Sequence, residues 1–272
     1  MLHRFCGLDI GIKVRRRGFF PQGGGELTAT VGPARPGATG NPLSPILLER
    51  RGAVTSIAGV ACVGGGVLAA EAEAMVGAAT AALRAGLVAA EATAAGSAAG
   101  AASGAAAGVA EVPIDIAVDV DDSSHSSGGG LTLWATTDSG SVLAGSALLE
   151  LPRASHKRPR GGGGRGGGKA KPLGVGLGAD VGTAAAESLL KELRTGGAVD
   201  EHLADQLVVF MALAAGRSSV LTGPLSLHTR TAIHFATALT GAKIMVEDLA
   251  QDPPGRHVIR CEGIAFLNGA GS

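Results

Sequence analysis

Residues 200–214 read Asp200-Glu201-His202-Leu203-Ala204-Asp205-Gln206-Leu207-Val208-Val209-Phe210-Met211-Ala212-Leu213-Ala214. Leu203, Leu207, Phe210, Met211 and Ala214 recur at steps of three and four, which predicts a helix with one apolar stripe. On that helix Asp205 lies opposite Leu203, Leu207 and Met211, while His202 and Gln206 share a flank. A polar flank is ordinary for a solvated helix. Val208 and Val209 border this one, however, and a helix apolar over more than half its circumference has a second neighbour or lines a cleft. Downstream, alternation and periodicity predict a strand at 218–222, a helix at 229–239, and strands at 243–247 and 257–262. Helix, strand, helix, strand, strand makes up most of one α+β unit, with two helices on one face of a sheet.

Upstream, Leu8, Ile10, Ile12 and Val14 alternate, predicting a half-buried strand. A Gly/Pro-rich turn and a second strand at 27–31 complete a hairpin. Residues 32–45, with four prolines and three glycines, read as a crossing between domains. Strands are expected at 54–63 and 112–120, strand-like alternation over 131–149, and helices at 71–90 and 180–194, the last stopped by Gly196-Gly197. Two stretches interrupt this pattern. Residues 92–110 are almost wholly Ala, Gly and Ser, and 151–172 are basic and Gly-rich. Neither has the side-chain volume to build a core, so both are expected as poorly ordered insertions.

The chain has 272 residues, 23 basic and 23 acidic, so no net field recruits nucleic acid. The balance is uneven, though. Arg153, Lys157, Arg158, Arg160, Arg165, Lys169 and Lys171 lie in 151–172 without an acid, which leaves 16 basic against 23 acidic residues elsewhere. Any electrostatic pull on RNA is concentrated there. Three scattered cysteines, Cys6, Cys62 and Cys261, offer neither a disulfide framework nor a zinc site and fit a reducing compartment, nucleus or cytoplasm. With no Tyr and only Trp134, a base-stacking platform is not expected. Residues 52–70 and 92–110 are uncharged but lack the sustained Leu/Ile/Phe content of a spanning helix, so no membrane partner is expected.

Four groups of residues could carry chemistry. His228 follows Gly223-Pro224-Leu225-Ser226-Leu227 and opens the next helix, with Thr229 able to cap it. A histidine there lies near free backbone N–H groups, a natural place for phosphate, and neutral imidazole is a competent nucleophile toward phosphorus. A histidine that only hydrogen-bonds locally is the plainer alternative. Gly18 to Gly25 ends in three glycines that permit close backbone approach or positive φ, though a simple hairpin turn would use them too. Asp119, Asp121 and Asp122 form an acidic cluster with a divalent ion as one possible occupant and solvent as the other. The basic segment reads as an RNA-contacting tail, a nuclear-import signal or a solvated spacer. Its near-match to a phosphate-binding loop, 163–169, is dismissed because Ala170 replaces the required Ser or Thr and no strand precedes it.

Taken in order, Gly18-Phe19-Phe20-Pro21-x-Gly23-Gly24-Gly25-Glu26, His202-Leu203-Ala204-Asp205-Gln206, Phe210-Met211-Ala212-Leu213-Ala214, His228-Thr229-x-Thr231-Ala232-Ile233-His234 and Ile259-x-Cys261-x-Gly263 resemble the RNA 3'-terminal phosphate cyclase family. The resemblance implies an α+β fold of repeated units, each with two helices on a four-stranded sheet, interrupted by a smaller α/β insert domain. By that template 1–45 and 197–272 belong to the large catalytic-type domain, and 46–196 form the insert, swollen by 92–110 and 151–172. It also implies ATP and a divalent cation (Mg or Mn) as cofactors, and RNA with a 3'-phosphate end as partner. The reaction would convert that end to a 2',3'-cyclic phosphate through a histidine–AMP intermediate. His228 would be the adenylated nucleophile, and His202, Leu203, Ala204, Asp205 and Gln206 would hold the nucleotide, with Asp205 and Gln206 orienting the His228 ring. The family's earlier units precede the Gly18 loop and are not seen here, so the chain is expected to be an N-terminally truncated member with low or no activity alone. The alternative is a non-catalytic RNA-binding or ribosome-biogenesis paralogue, and His228 with His202 to Gln206 argues for the cyclase.

Overall fold

The computed structural model describes residues 9–32, 43–95, 112–151, 176–250 and 255–266. Residues 96–111 and 152–175, most of the two low-complexity stretches, lie outside them, and so do the near-match at 163–169 and all seven basic residues of 151–172. The described residues form a hairpin and two four-stranded sheets.

The hairpin pairs β1 (Ile10–Arg16) with β2 (Glu26–Val31), and its register sets Ile10, Ile12 and Val14 opposite Val31, Ala29 and Leu27. All six therefore share one face. That face is exposed rather than half-buried, with Ile12 at 71% and Val31 at 68% of full exposure. Alternation correctly marks an amphipathic strand, but it does not say whether anything covers the apolar side.

One sheet has the order β5-β4-β6-β7, built from β4 (Val54–Gly64), β5 (Ile114–Asp121), β6 (Gly128–Thr137) and β7 (Val142–Leu148). β4 and β5 run parallel and are joined through α1 (Ala69–Ala95), whereas β6 and β7 are antiparallel additions. α1 and α2 (Gly178–Thr195) lie side by side on this sheet and enclose Ile57, Met75, Leu83, Leu131, Leu133, Leu143 and Leu189. Close approach of the two helices depends on glycine. A Cβ on Gly178 would sit 2.2 Å from the Glu71 carbonyl oxygen, and one on Gly182 2.3 Å from that of Met75. α2 has no capping side chain of its own. The buried Glu71 of α1 supplies the cap, accepting from the amides of Gly176 (2.9 Å) and Gly178 (2.8 Å). Within α1, Ala69–Ala90 is long and apolar enough to cross a membrane by length and composition, unlike the two stretches tested on sequence. Here it packs its Met75 and Leu83 side against β4, β5, β6 and α2.

The other sheet has the order β3-β8-β10-β9, with β3 (Leu47–Leu48), β8 (Ala215–Thr222), β9 (Lys243–Leu249) and β10 (Arg256–Ile264). β8, β10 and β9 are antiparallel neighbours, and β3 adds in parallel to β8. Leu47 and Leu48 thus belong with the C-terminal strands, not with those that follow them in sequence. α3 (Glu201–Leu213) and α4 (Leu227–Thr240) pack against each other and this sheet, over a core of Ile46, Leu207, Met211, Val220 and Ile259. The architecture is α+β, two helices accompanying each four-stranded sheet. Gly196 and Gly241, at φ 73° and 75°, end α2 and α4 in the left-handed conformation that glycine adopts without strain.

Candidate active site

α3 starts at Asp200, whose side chain accepts from the amides of His202 (3.1 Å) and Leu203 (2.8 Å), so Asp200 stands before the helix as its cap. Ala204, Leu207, Val208, Met211 and Ala212 form its buried face. His202 and Gln206 are exposed on one flank, Asp205 is half-buried, and Val209 remains 49% exposed beside them. The expected stripe is rotated slightly toward Val208, with Leu203 and Phe210 at its rim.

α4 is capped by Ser226, not by Thr229. The Ser226 hydroxyl accepts from the Thr229 amide at 3.2 Å, and the two hydroxyls lie 3.1 Å apart. Thr229 is a buried packing residue at 1% exposure. That leaves His228 in the second helical position with its side chain exposed. The amides of Leu227 and His228 find no acceptor among the described residues, while that of Arg230 closes onto the Ser226 carbonyl at 3.1 Å. Two such amides at the positive end of a helix can receive an anion, and His228 belongs to that first turn with its side chain exposed.

α3 and α4 pack directly, which brings the 202–206 segment and His228 onto neighbouring helices of one layer. The more specific expectation, that Asp205 or Gln206 holds the His228 ring, is not met. Among the described residues His228 has no side-chain hydrogen bond or ion pair, and neither carboxylate nor amide reaches it.

The Gly18 loop is positioned elsewhere. Gly23 and Gly24 adopt φ of 68° and 79°, and a Cβ on Gly18 would lie 2.2 Å from the Gly25 nitrogen, so positive φ and close approach are both used. Arg17 donates from Nε and Nη2 to Asp119, and its amide donates to Asp121. The Phe19 amide donates to the Ser126 hydroxyl (2.6 Å), which in turn donates to the Gly23 carbonyl (2.8 Å). These bonds fasten the loop to the end of β5 and to the β5–β6 connection, and none joins it to α3 or α4. They also decide the acidic cluster. Asp119 and Asp121 are partners of Arg17, and no group of three His, Cys, Asp or Glu capable of holding a metal exists among the described residues. The Arg17 amide, followed by the Ser123 hydroxyl and amide, holds the Asp121 carboxyl below the usual range.

A cleft of about 90 Å³ opens near the start of α4, lined by Lys191, Glu192, Thr195, Glu201, Thr222, Gly223 and Pro224. Glu192 was not singled out by sequence. Burial, with the nearby carboxylates of Glu201 and Asp200, pushes its carboxyl up, against the opposing hydrogen bond from the Glu201 amide. Asp200 was read only as the first residue of the helix. An Asp directly before an apolar periodic run is the cap signal that would have found it.

The family model for RNA 3'-terminal phosphate cyclase matches residues 1–246. A Dictyostelium discoideum protein named "Probable RNA 3'-terminal phosphate cyclase" is 30% identical over 266 residues, covering 96% of this chain and 50% of that protein. The RNA 3'-terminal phosphate cyclase of Staphylothermus marinus is 29% identical over 264 residues, covering 97% of this chain and 60% of that protein. That of Drosophila melanogaster is 41% identical over 88 residues, covering 32% and 24%. The α+β fold agrees with the class of protein that these matches define. It belongs to the RNA 3'-terminal phosphate cyclase family. The chain spans about half the length of the curated relatives it matches over most of its own length.

Proposed function

We propose that this chain carries the adenylyl-accepting part of an ATP-dependent RNA 3'-phosphate cyclase. His228 is the nucleophile, and the 202–206 segment of α3 is the nucleotide contact. The single observation that carries this reading, within a chain of this family, is the exposed His228 side chain in a first turn whose Leu227 and His228 amides have no acceptor among the described residues. A ring nitrogen attacks the α-phosphorus of ATP, the bond to the bridging oxygen breaks, and pyrophosphate leaves, giving histidine-linked AMP. AMP then passes to an RNA 3'-phosphate oxygen, and the neighbouring 2'-hydroxyl displaces it to close the 2',3'-cyclic phosphate. The amides of Leu227 and His228 hold phosphate oxygens during the first step. His202 contacts the adenosine, and Asp205 and Gln206 supply polar contacts beside it. The described residues do not fit a protein-held divalent cation, so no step is routed through one. No membrane partner forms part of the reading, which assigns the chain to a reducing compartment, nucleus or cytoplasm, in keeping with its three scattered cysteines.

The test is incubation with α-labelled ATP, then denaturing electrophoresis of wild type and His228→Ala. Acid-labile label on the wild-type chain, absent from the variant, supports the reading. Label that persists in His228→Ala removes His228 from the chemistry. A wild-type chain that binds ATP and takes up no label reduces the reading to nucleotide binding.

A further inference from the structure

The first turn of α3 is one place where the two sheets meet among the described residues. Asp200 is 6% exposed, and its two carboxylate oxygens do different things. Oδ1 accepts from His202 and Leu203, which caps α3, while Oδ2 accepts from the amide of Ala144 at 3.1 Å. Ala144 lies on β7, whose one strand neighbour in its sheet is β6, so this amide belongs to an open sheet edge. Two further links converge on the same turn. Glu192, from the last turns of α2, accepts from the Glu201 amide at 3.2 Å, and the Ala198 amide donates to the Leu221 carbonyl of β8 at 2.9 Å.

Capping alone does not require this residue. Ser, Asn and Asp serve about equally well, because the cap needs one acceptor oxygen. A carboxylate is needed where a second acceptor is used at the same time. We propose that Asp200 is a positioning residue. By holding the start of α3 with one oxygen and the β7 edge with the other, it sets the orientation of the 202–206 face relative to the neighbouring sheet. Its consequence for ATP rests on the function proposed above; the tether itself does not.

The test uses the full chain carrying Asp200→Asn and, separately, Asp200→Ser. Asn offers one oxygen and one NH2 group, so whichever way it is turned either the cap amides or Ala144 lose their acceptor. Ser caps but does not serve both sites. Amide exchange at Ala144 or across 201–206 should quicken on the order of tenfold, the equivalent of one hydrogen bond to a charged acceptor. Where wild type binds ATP, Kd should rise several-fold in both variants. Exchange at Ala144 and 201–206 that matches wild type in both variants overturns the proposal. Faster exchange with unchanged ATP affinity overturns the orienting role. A wild-type chain with no ATP binding refutes the proposed function, and exchange alone then decides the tether.

Discussion

Arg17 reaches Asp119 across 102 residues of chain, with Nη2 2.6 Å and Nε 2.8 Å from the same Oδ2. This pair, with the Arg17 amide on Asp121, ties the glycine loop to the end of β5. Asp119 is nearly half exposed, so solvent screens much of the attraction and the pair serves to locate the loop more than to stabilise the fold. Arg17→Ala should cost about 1 kcal/mol or less in urea unfolding, yet open residues 17–25 to limited proteolysis. A loop as protected in the variant as in wild type would show that Phe19 and Ser126 suffice to hold it.

Gly182 and Gly77 offer a paired measurement on the two packed helices. A Cβ at Gly182 meets the Met75 carbonyl oxygen at 2.3 Å, whereas one at Gly77 meets nothing within 4 Å. Gly182→Ala should destabilise by about 1–3 kcal/mol, because the helices must separate. Gly77→Ala should stabilise by about 0.5–1 kcal/mol through the lower backbone entropy of the unfolded chain. Thermal unfolding of both variants checks the contrast, and equal shifts would refute the close packing of α1 on α2.

Glu192 should make stability depend on pH in the sense opposite to a salt-bridged acid. Burial raises its folded pKa above the unfolded reference of 4.5, so the folded chain holds this proton more tightly than the unfolded one. The cost of burying the charge is fully present above the folded pKa and absent below the unfolded one. Glu192→Gln keeps an acceptor for the Glu201 amide and removes the charge. It should raise the urea midpoint at pH 7 and leave it unchanged near pH 4, and a variant less stable than wild type at pH 7 would show that the carboxylate is favourable at the α3 start.

Asp121 behaves the other way. Its carboxyl is held down by the Arg17 amide first and by Ser123 next, so its contribution is present above the unfolded reference of 3.8 and is lost as pH falls through the lower folded value. Asp121→Asn should therefore cost stability at neutral pH and converge on wild type in strong acid, as read by chemical unfolding across pH 2–7. A constant difference between the two chains over that range would refute the assignment.

Cys261 is 2% exposed, and burial pushes its thiol up to about 11. At pH 8 it should be alkylated by iodoacetamide only as fast as the chain opens, and at once in denaturant. Mass mapping of the labelled cysteines reads this directly. Rapid native labelling at Cys261 would mean that β10 is not covered by α3.

Much of the C-terminal unit was legible because its signals are short-range. The three- and four-residue apolar steps of 203–211, the alternation along β10 and the glycines after α2 each report on a neighbour within one turn or one strand. The hairpin was legible for the same reason, from Ile10, Ile12 and Val14 on one side and a glycine turn on the other. His228 was likewise visible as a histidine after a Gly-Pro turn, and the structure leaves its side chain exposed in the first turn of α4. The cap was misplaced because Ser226 and Thr229 carry the same hydroxyl, and only backbone geometry separates cap from first turn.

What the chain alone determined, then, is which segments become helix or strand, where they stop, and which family they belong to, because those properties follow from contacts a few residues apart and from the order of its motifs. Tertiary structure alone decided the partners. Leu47–Leu48 joins β8 from 172 positions away in the Ile46–Ser218 contact, Glu71 caps a helix it does not belong to, and Asp200 reaches Ala144. Such pairings arise from sheet register and helix packing, which bring distant backbone amides within 3 Å or so of a carboxylate or hydroxyl, and no local pattern encodes which amide that will be.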